Sequence, residues 1–280
     1  MAGVKDKLEQ SSLSIAAVSI ARNEEANIKA MLTSLYAQTV HIDPIIVVND
    51  GSTDKTAEIA QSLDCIVLDL PTHKESYTGK PELAKILNVG LTFLRELNQE
   101  FDYVVIMGAD HLLSPKYLET IIGRMEENPR LVVASGVIDD ESFDLYTPRG
   151  SGRIVNYSFW LKINSLQYPI EWGWESWLYL KAQTLGLETR SFPDIHSKVN
   201  RPTSLDKAGM WGKAMYALGY DWKYALGRCF ITFLKNPKSG LSMFGNWIFH
   251  RNVKKLDIAD WVNNHQKKTF WKKACSFLSA

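Results

Sequence analysis

The chain has 280 residues, of which 45% are hydrophobic and 22% charged, and its formal net charge is +1. These proportions exclude a disordered or low-complexity chain and fit one large globular domain, or a domain with an extension. No apolar run approaches the ~18 residues of a membrane-spanning helix. Met1–Gln10 is polar and lacks the apolar stretch of a signal peptide, so a cytoplasmic location is expected. Cys65, Cys229 and Cys275 lie far apart with no metal-type spacing and read as free thiols. The small net charge conceals an asymmetry. Residues 1–197 carry 17 Lys+Arg against 27 Asp+Glu, a net of −10; residues 198–280 carry 15 against 4, a net of +11. An acidic body with a basic tail points to two roles in one chain.

In chain order, Leu13–Ile20 reads as a first strand and Glu24–Ala37 as a helix with Ile28, Met31, Leu32 and Leu35 on one face. Ile45–Val48 is a β-branched run of the kind buried on both faces in a parallel sheet. Asp50 and Gly51 follow it; Gly51 permits a sharp turn, and Ser52 or Thr53 is placed to cap a helix starting near Lys55. Cys65–Leu70 is a third strand and Thr72–Lys80 a polar loop. Pro81 fits the first turn of a helix running to about Leu97. Tyr103–Met107 is a fourth strand ending at Gly108-Ala109-Asp110. Pro115–Glu127 is helical and Leu131–Val137 a fifth strand. Alternating strands and helices imply parallel βαβ units. The rhythm then breaks. Ile138–Gly152 is loop-like, residues 153–167 are expected to be helical, and from about Thr203 the pattern is helical, aromatic and basic.

Three acids stand out. Asp50 and Asp110 each terminate an apolar strand, the edge at which open α/β sheets bind ligands. Glu175 lies in Trp172-Gly173-Trp174-Glu175-Ser176-Trp177, six residues before Lys181, with Gly186 beyond. Each acid has a structural alternative: Asp50 and Asp110 as helix caps, Glu175 as a solvated helix end. Together, and in this order, the three segments resemble the family 2 glycosyltransferases over roughly Leu13–Arg201.

That resemblance implies an α/β, GT-A-type fold: a mainly parallel sheet flanked by helices. Residues 1–201 would form the catalytic domain and 202–280 a helical, basic and aromatic C-terminal extension. It implies transfer of a sugar from a nucleotide-diphosphate donor to a glycan or lipid-linked acceptor, metal-dependent and inverting. Asp50 would accept a hydrogen bond from the base, while Arg22 and Glu24 line base and ribose and Lys80 reaches a phosphate. Ala109 and Asp110 would sit at the diphosphate, Asp110 holding Mg²⁺ or Mn²⁺ with His196 as a further ligand. Glu175 would be the base that deprotonates the acceptor. Two departures matter. Gly108 stands where the family has the first acid of Asp-x-Asp. In a rival register Ser176, not Glu175, takes the base position; Glu171 is a second candidate acid.

A catalytically weak relative that binds sugar nucleotides or acts as a scaffold is the first alternative, motivated by Gly108 and Ser176. A nucleotidyltransferase would need a Gly-rich loop after the first strand, where this chain has Ala21-Arg22-Asn23-Glu24-Glu25. A dinucleotide oxidoreductase would need Gly-x-Gly-x-x-Gly, which follows no strand. In the C-terminal third, aromatics beside cations recur in Trp222-Lys223, Phe233-Leu234-Lys235, Trp247-Ile248-Phe249-His250-Arg251 and Trp271-Lys272-Lys273. They suit contact with an anionic membrane face, or packing on the catalytic domain or a second subunit. No nucleic-acid motif is present.

Overall fold

The computed structural model describes residues 13–201, 208–249 and 252–278, with side chains through 269. Its centre is four parallel strands: β1 (Ile15–Ala21), β2 (Ile45–Asn49), β3 (Ile66–Asp69) and β4 (Tyr103–Gly108), in the order β3-β2-β1-β4. β1, β2 and β4 are buried almost throughout because helices cover both faces. α1 (Ile28–Tyr36) lays Ile28, Met31, Leu32 and Leu35 on one face. α3 (Pro81–Glu96) lays Ala84, Leu87, Leu91 and Leu94 on the other. α3 approaches closely at Gly90, where a Cβ would lie 2.7 Å from Val18 Cγ1 and 2.8 Å from Val48 Cγ2. The short α2 (Thr56–Gln61) connects β2 to β3.

The second half extends the same sheet. After β5 (His111–Leu113) and α4 (Tyr117–Glu127) come β6 (Leu131–Ile138), β7 (Arg153–Asn156), α5 (Tyr157–Asn164), α6 (Trp174–Thr184) and β8 (Glu188–Val199). The full order is β3-β2-β1-β4-β7-β6-β8-β5, a mixed α/β sheet of eight strands. β7 runs antiparallel between β4 and β6, β8 runs parallel to β6, and β5 is antiparallel to β8.

Three local expectations are corrected. Residues 153–167 are not one helix: Ile154 and Val155, both fully buried, complete the sheet as β7. Asn156 then caps α5 by accepting the Phe159 N–H at 2.9 Å. The first helix starts at Ile28, and Glu24 lies in the turn before it. α2 starts at Thr56 without a cap from Ser52 or Thr53; Asp54 Oδ1 accepts the Thr56 N–H at 3.0 Å instead.

The tail is helical, as its pattern implies: α7 (Ala208–Ala217), α8 (Trp222–Lys235), α9 (Pro237–Ile248) and α10 (Ala259–Leu278). α9 packs tightly on both neighbours through glycines. A Cβ on Gly240 would sit 2.4 Å from Phe233 Cα, and one on Gly212 2.2 Å from the Met243 carbonyl. Leu218, Leu256, Ile258 and Val262 enter the same apolar core as β1 and β4. His250, Arg251 and the side chains of Trp271-Lys272-Lys273 lie outside the described residues.

Gly51 turns the chain out of β2 at φ +62°, and a Cβ there would meet the Pro71 carbonyl oxygen at 2.6 Å. Gly51→Ala therefore combines left-handed strain with a backbone clash. It is expected to lower the unfolding free energy by about 2–4 kcal/mol in urea denaturation.

Candidate active site

The register of the parallel strands sets the site. Ala21 pairs with Asn49, and Ile20 with Gly108. β2 and β4 flank β1, so their ends lie two strand spacings apart, roughly 10 Å. Asp50 and Asp110 therefore leave the same rim on either side of Arg22-Asn23-Glu24. This exit is laced to the turn after β2. The N–H groups of Asn23, Glu24 and Glu25 donate to Ser52 Oγ (3.0 Å), Thr56 Oγ1 (2.7 Å) and Asp54 Oδ2 (3.1 Å). Thr53 N–H donates back to Asn23 Oδ1 at 2.9 Å. Burial alone would raise the pKa of Asp54. The hydrogen bonds from Thr56 and from the Glu25 and Thr56 N–H groups outweigh it and hold the carboxyl below its ordinary value.

On one side of the exit, Asp50 is 3% exposed. Its Oδ1 lies 2.7 Å from His73 Nε2, and Arg22 Nη1 lies 2.7 Å from His73 Nδ1. A carboxylate only accepts and a guanidinium only donates, which assigns the ring proton to Nε2. Arg22 also donates to the carbonyls of His73 and Glu75, and His73 stacks on Tyr77 with centroids 4.3 Å apart. The 71–80 loop is thus folded over Asp50. Lys80 ends the loop; its Nζ is 3.8 Å from Glu75, and its carbonyl accepts Trp174 Nε1–H at 3.2 Å.

On the other side, Asp110 Oδ2 accepts Arg201 Nε–H at 3.1 Å, and Arg201 Nη2 bonds Glu24 Oε1. One guanidinium joins two carboxylates. Asn200 N–H donates to the Asp110 carbonyl at 3.0 Å, seating the segment after β8 on the end of β4. Ala109 is buried in the core. Ser151 occupies the space beside Gly108: its Oγ accepts the Gly108 N–H at 2.7 Å and would be 3.1 Å from a Cβ there.

Glu175 lies in the first turn of α6. Its carboxylate rests on the Gly150 backbone, where a Cβ would lie 1.6 Å from Oε1 and the carboxylate would have to move aside. The 148–152 loop is fixed from below. Arg153, 1% exposed, donates to the carbonyls of Pro148 (2.7 Å), Arg149 (2.8 Å) and Glu175 (2.9 Å). Tyr117 donates its O–H to the Gly152 carbonyl at 2.8 Å. His111 Nδ1 is 2.6 Å from Ser151 Oγ; burial first, then the charge of Arg149, push this histidine down to about 4, so it is neutral at physiological pH. Asp110 and Glu175 thus flank one loop, Gly150-Ser151-Gly152.

Two further residues named from the sequence have defined partners. His196 does not meet Asp110: it pairs with Asp139 at 2.8 Å. It lies four residues before Asn200 on extended chain, roughly 13 Å along the strand. The side chain that reaches Asp110 is Arg201. Lys181, whose spacing set the Glu175 register, binds Asp257 at 2.5 Å, and Trp177 Nε1–H donates to the same carboxylate at 2.7 Å. Burial would raise the Asp257 pKa, but these two bonds lower it. Among the described residues no group of three or more His, Cys, Asp or Glu is arranged to hold a metal. His73, Arg153 and Arg201 are the site residues that the sequence did not single out. Their partners at the site lie 22 to 177 positions away, and only the basic or imidazole side chain beside a strand or loop end hinted at them.

A sheet of this order, with acids at the ends of two parallel strands, defines a GT-A-type glycosyltransferase fold. The family model "Glycosyl transferase family 2" matches residues 17–183, and the chain belongs to this family. A stretch of 50 residues is 50% identical to 4,4'-diaponeurosporenoate glycosyltransferase of Staphylococcus aureus, covering 18% of this chain and 13% of that relative. Among solved structures, a Pyrobaculum calidifontis mannosyltransferase in complex with GDP-Man and Mn²⁺ has a TM-score of 0.55 at 13% identity, covering 95% of this chain and 83% of that one. Glucosyl-3-phosphoglycerate synthase of Mycobacterium tuberculosis, with Mn²⁺, UDP and glucosyl-3-phosphoglycerate, gives 0.53 at 20% identity, over 74% and 79%. S. aureus TarS (residues 1–349) with UDP-GlcNAc gives 0.51 at 18% identity, over 71% and 65%. At these identities the structures share the fold.

Asp54 supplies a pH test of the laced rim. Its folded pKa lies below its unfolded one, so its contribution is complete above the unfolded value, ~4, and is lost as pH falls through the folded value. Asp54→Ala is expected to cost about 1–2 kcal/mol at neutral pH. In thermal melts, the gap from the parent should close progressively below that pH.

Proposed function

We propose that the protein transfers a glycosyl group from a nucleoside diphosphate sugar to an acceptor hydroxyl, with inversion at C1. The observation that carries this reading is the placement of Asp50 and Asp110 on one rim, with Glu175 across the Gly150–Gly152 loop from Asp110. Asp50 receives the nucleotide base in exchange for its bond to His73, with Arg22 beside it. Glu24 stands between the base side and the diphosphate side. Lys80, paired with an exposed glutamate 3.8 Å away, stands at the end of the loop over the donor and is placed to turn to a phosphate.

Asp110 and Glu24 already converge on one positive group, the guanidinium of Arg201. Two hard oxygen donors of this kind fit Mg²⁺ or Mn²⁺, which Asp110 and Glu24 would hold. Such a cation, when bound, supplies charge to the departing diphosphate. Arg201 offers a second positive charge at the same place. Glu175 takes the proton of the acceptor hydroxyl. The hydroxyl oxygen forms the new bond to C1 as the bond from C1 to the phosphate oxygen breaks, and the electron pair leaves with the nucleoside diphosphate.

A second reading, a donor-binding relative with little turnover, draws on the filled space beside Gly108 and on the two acids already engaged by Arg201 and His73. The test is release of nucleoside diphosphate from a panel of UDP- and GDP-sugars with Mn²⁺. Glu175→Gln is expected to lower turnover about 10²–10⁴-fold while leaving nucleotide affinity unchanged, and chelation of the metal should abolish release. Unaltered turnover in Glu175→Gln removes this residue as the base. Nucleotide binding without release from any donor favours the second reading.

A further inference from the structure

α8 is built inside out. Its buried face is made of small side chains, Ala225, Cys229 and Thr232. Its large apolar residues face outward: Trp222 (57% exposed), Leu226, Phe230 (62%) and Leu234 (67%) recur every four residues along one side. Leu241 of α9 and Phe249 just beyond it, 62% and 77% exposed, extend the surface. No water-soluble helix needs such a face toward solvent, and a contiguous apolar patch marks a surface that something covers.

The charges around it select the occupant. Residues 208–249 contain five basic side chains, Lys213, Lys223, Arg228, Lys235 and Lys238, and one acid, Asp221. Asp221 is 2% exposed and caps α8 by accepting the Lys223 N–H at 3.1 Å. Arg228, Lys235 and Lys238 are exposed beside the apolar rings, and residues 208–249 carry no exposed carboxylate. Protein interfaces are depleted in lysine, whereas an apolar face rimmed by Lys and Arg is the pattern of a helix lying in a lipid headgroup layer. Among the described residues no helix is long and apolar enough to cross a membrane.

We propose that the outward face of α8 and α9 docks on an anionic lipid bilayer. Its position gives the docking a use, which rests on the reading of Glu175 as the acceptor's base. α7, packed on α9, is fixed against the segment just before α6. Lys213 Nζ lies 4.7 Å from the Trp172 ring centroid, and a Cβ on Gly173 would be 2.8 Å from Leu218 Cγ. Glu175 is two residues further on. A bilayer under α8 and α9 thus brings the base-bearing helix to the lipid surface, where a hydroxyl on a lipid-anchored acceptor is within reach.

Sedimentation of the full chain with phosphatidylcholine vesicles, with and without phosphatidylglycerol, tests the proposal. Binding is expected to the anionic vesicles only, and to weaken with salt. Phe230→Ser with Leu234→Ser should reduce it by about tenfold or more. Lys235→Gln and Lys238→Gln should each reduce it about fivefold. All four side chains are exposed, so the melting temperature should not fall, and the same preparations report this. Absence of binding to anionic vesicles overturns the proposal, as does binding that the apolar pair leaves intact. Self-association in analytical ultracentrifugation, abolished by the apolar pair and without vesicle binding, makes the face a subunit interface instead. The assay uses no sugar nucleotide, so its failure is separable from failure of glycosyl transfer, which is read from donor turnover in lipid-free solution.

Discussion

The parallel pairing of β1 with β2 and β4 is the constraint on which the site depends. It brings the ends of β2 and β4 level, one on each side of the β1 exit. Because side chains alternate between faces, a slip of one residue would exchange the side chains that a strand sends into the two apolar layers. The apolar core therefore fixes the positions of two carboxylates that it does not itself contain. Three acids, Asp50, Glu24 and Asp110, then crowd one rim, and each is met by a nitrogen donor: His73 on the first, Arg201 on the other two. Asp50 and Glu24 are 3% and 7% exposed, and polar groups so shielded need hydrogen-bond partners.

The β1 exit divides the work. Arg22 turns toward the 71–80 loop, and Glu24 turns toward Asp110. Between them Asn23 takes φ +52°, a conformation asparagine tolerates better than most residues. Its side chain and the N–H groups beside it are tied to the turn after β2. Beneath the opposite half, the buried Arg153 holds three carbonyls, among them that of Glu175. The same guanidinium thus sets both the loop beside Asp110 and the start of the helix carrying Glu175.

The parallel core was readable from sequence because its strands are unbroken β-branched runs. So were the acids at the tips of those strands. What escaped reading depends on contacts distant in the chain. β7 is four residues long and begins with a charged residue that only the folded core can satisfy. β8 alternates polar and apolar residues, with Pro193 near the register shift between Gly136 and Val137. That strand carries His196 away from Asp110 and delivers Arg201 to it. Lys181 finds Asp257 76 residues later. In the tail, the mix of rings and lysines was visible, but its outward orientation follows from the close α8–α9 contact at Gly240.

The central claim is that Asp50 and Asp110 grip one bound molecule. Calorimetric titration of a nucleoside diphosphate sugar with Mn²⁺ into the parent protein, Asp50→Asn, Asp110→Asn and the double variant tests it most directly. Each single change is expected to weaken the same ligand by about tenfold or more, and the double variant to bind more weakly than either. Affinity that either substitution leaves at the parent value would contradict the claim.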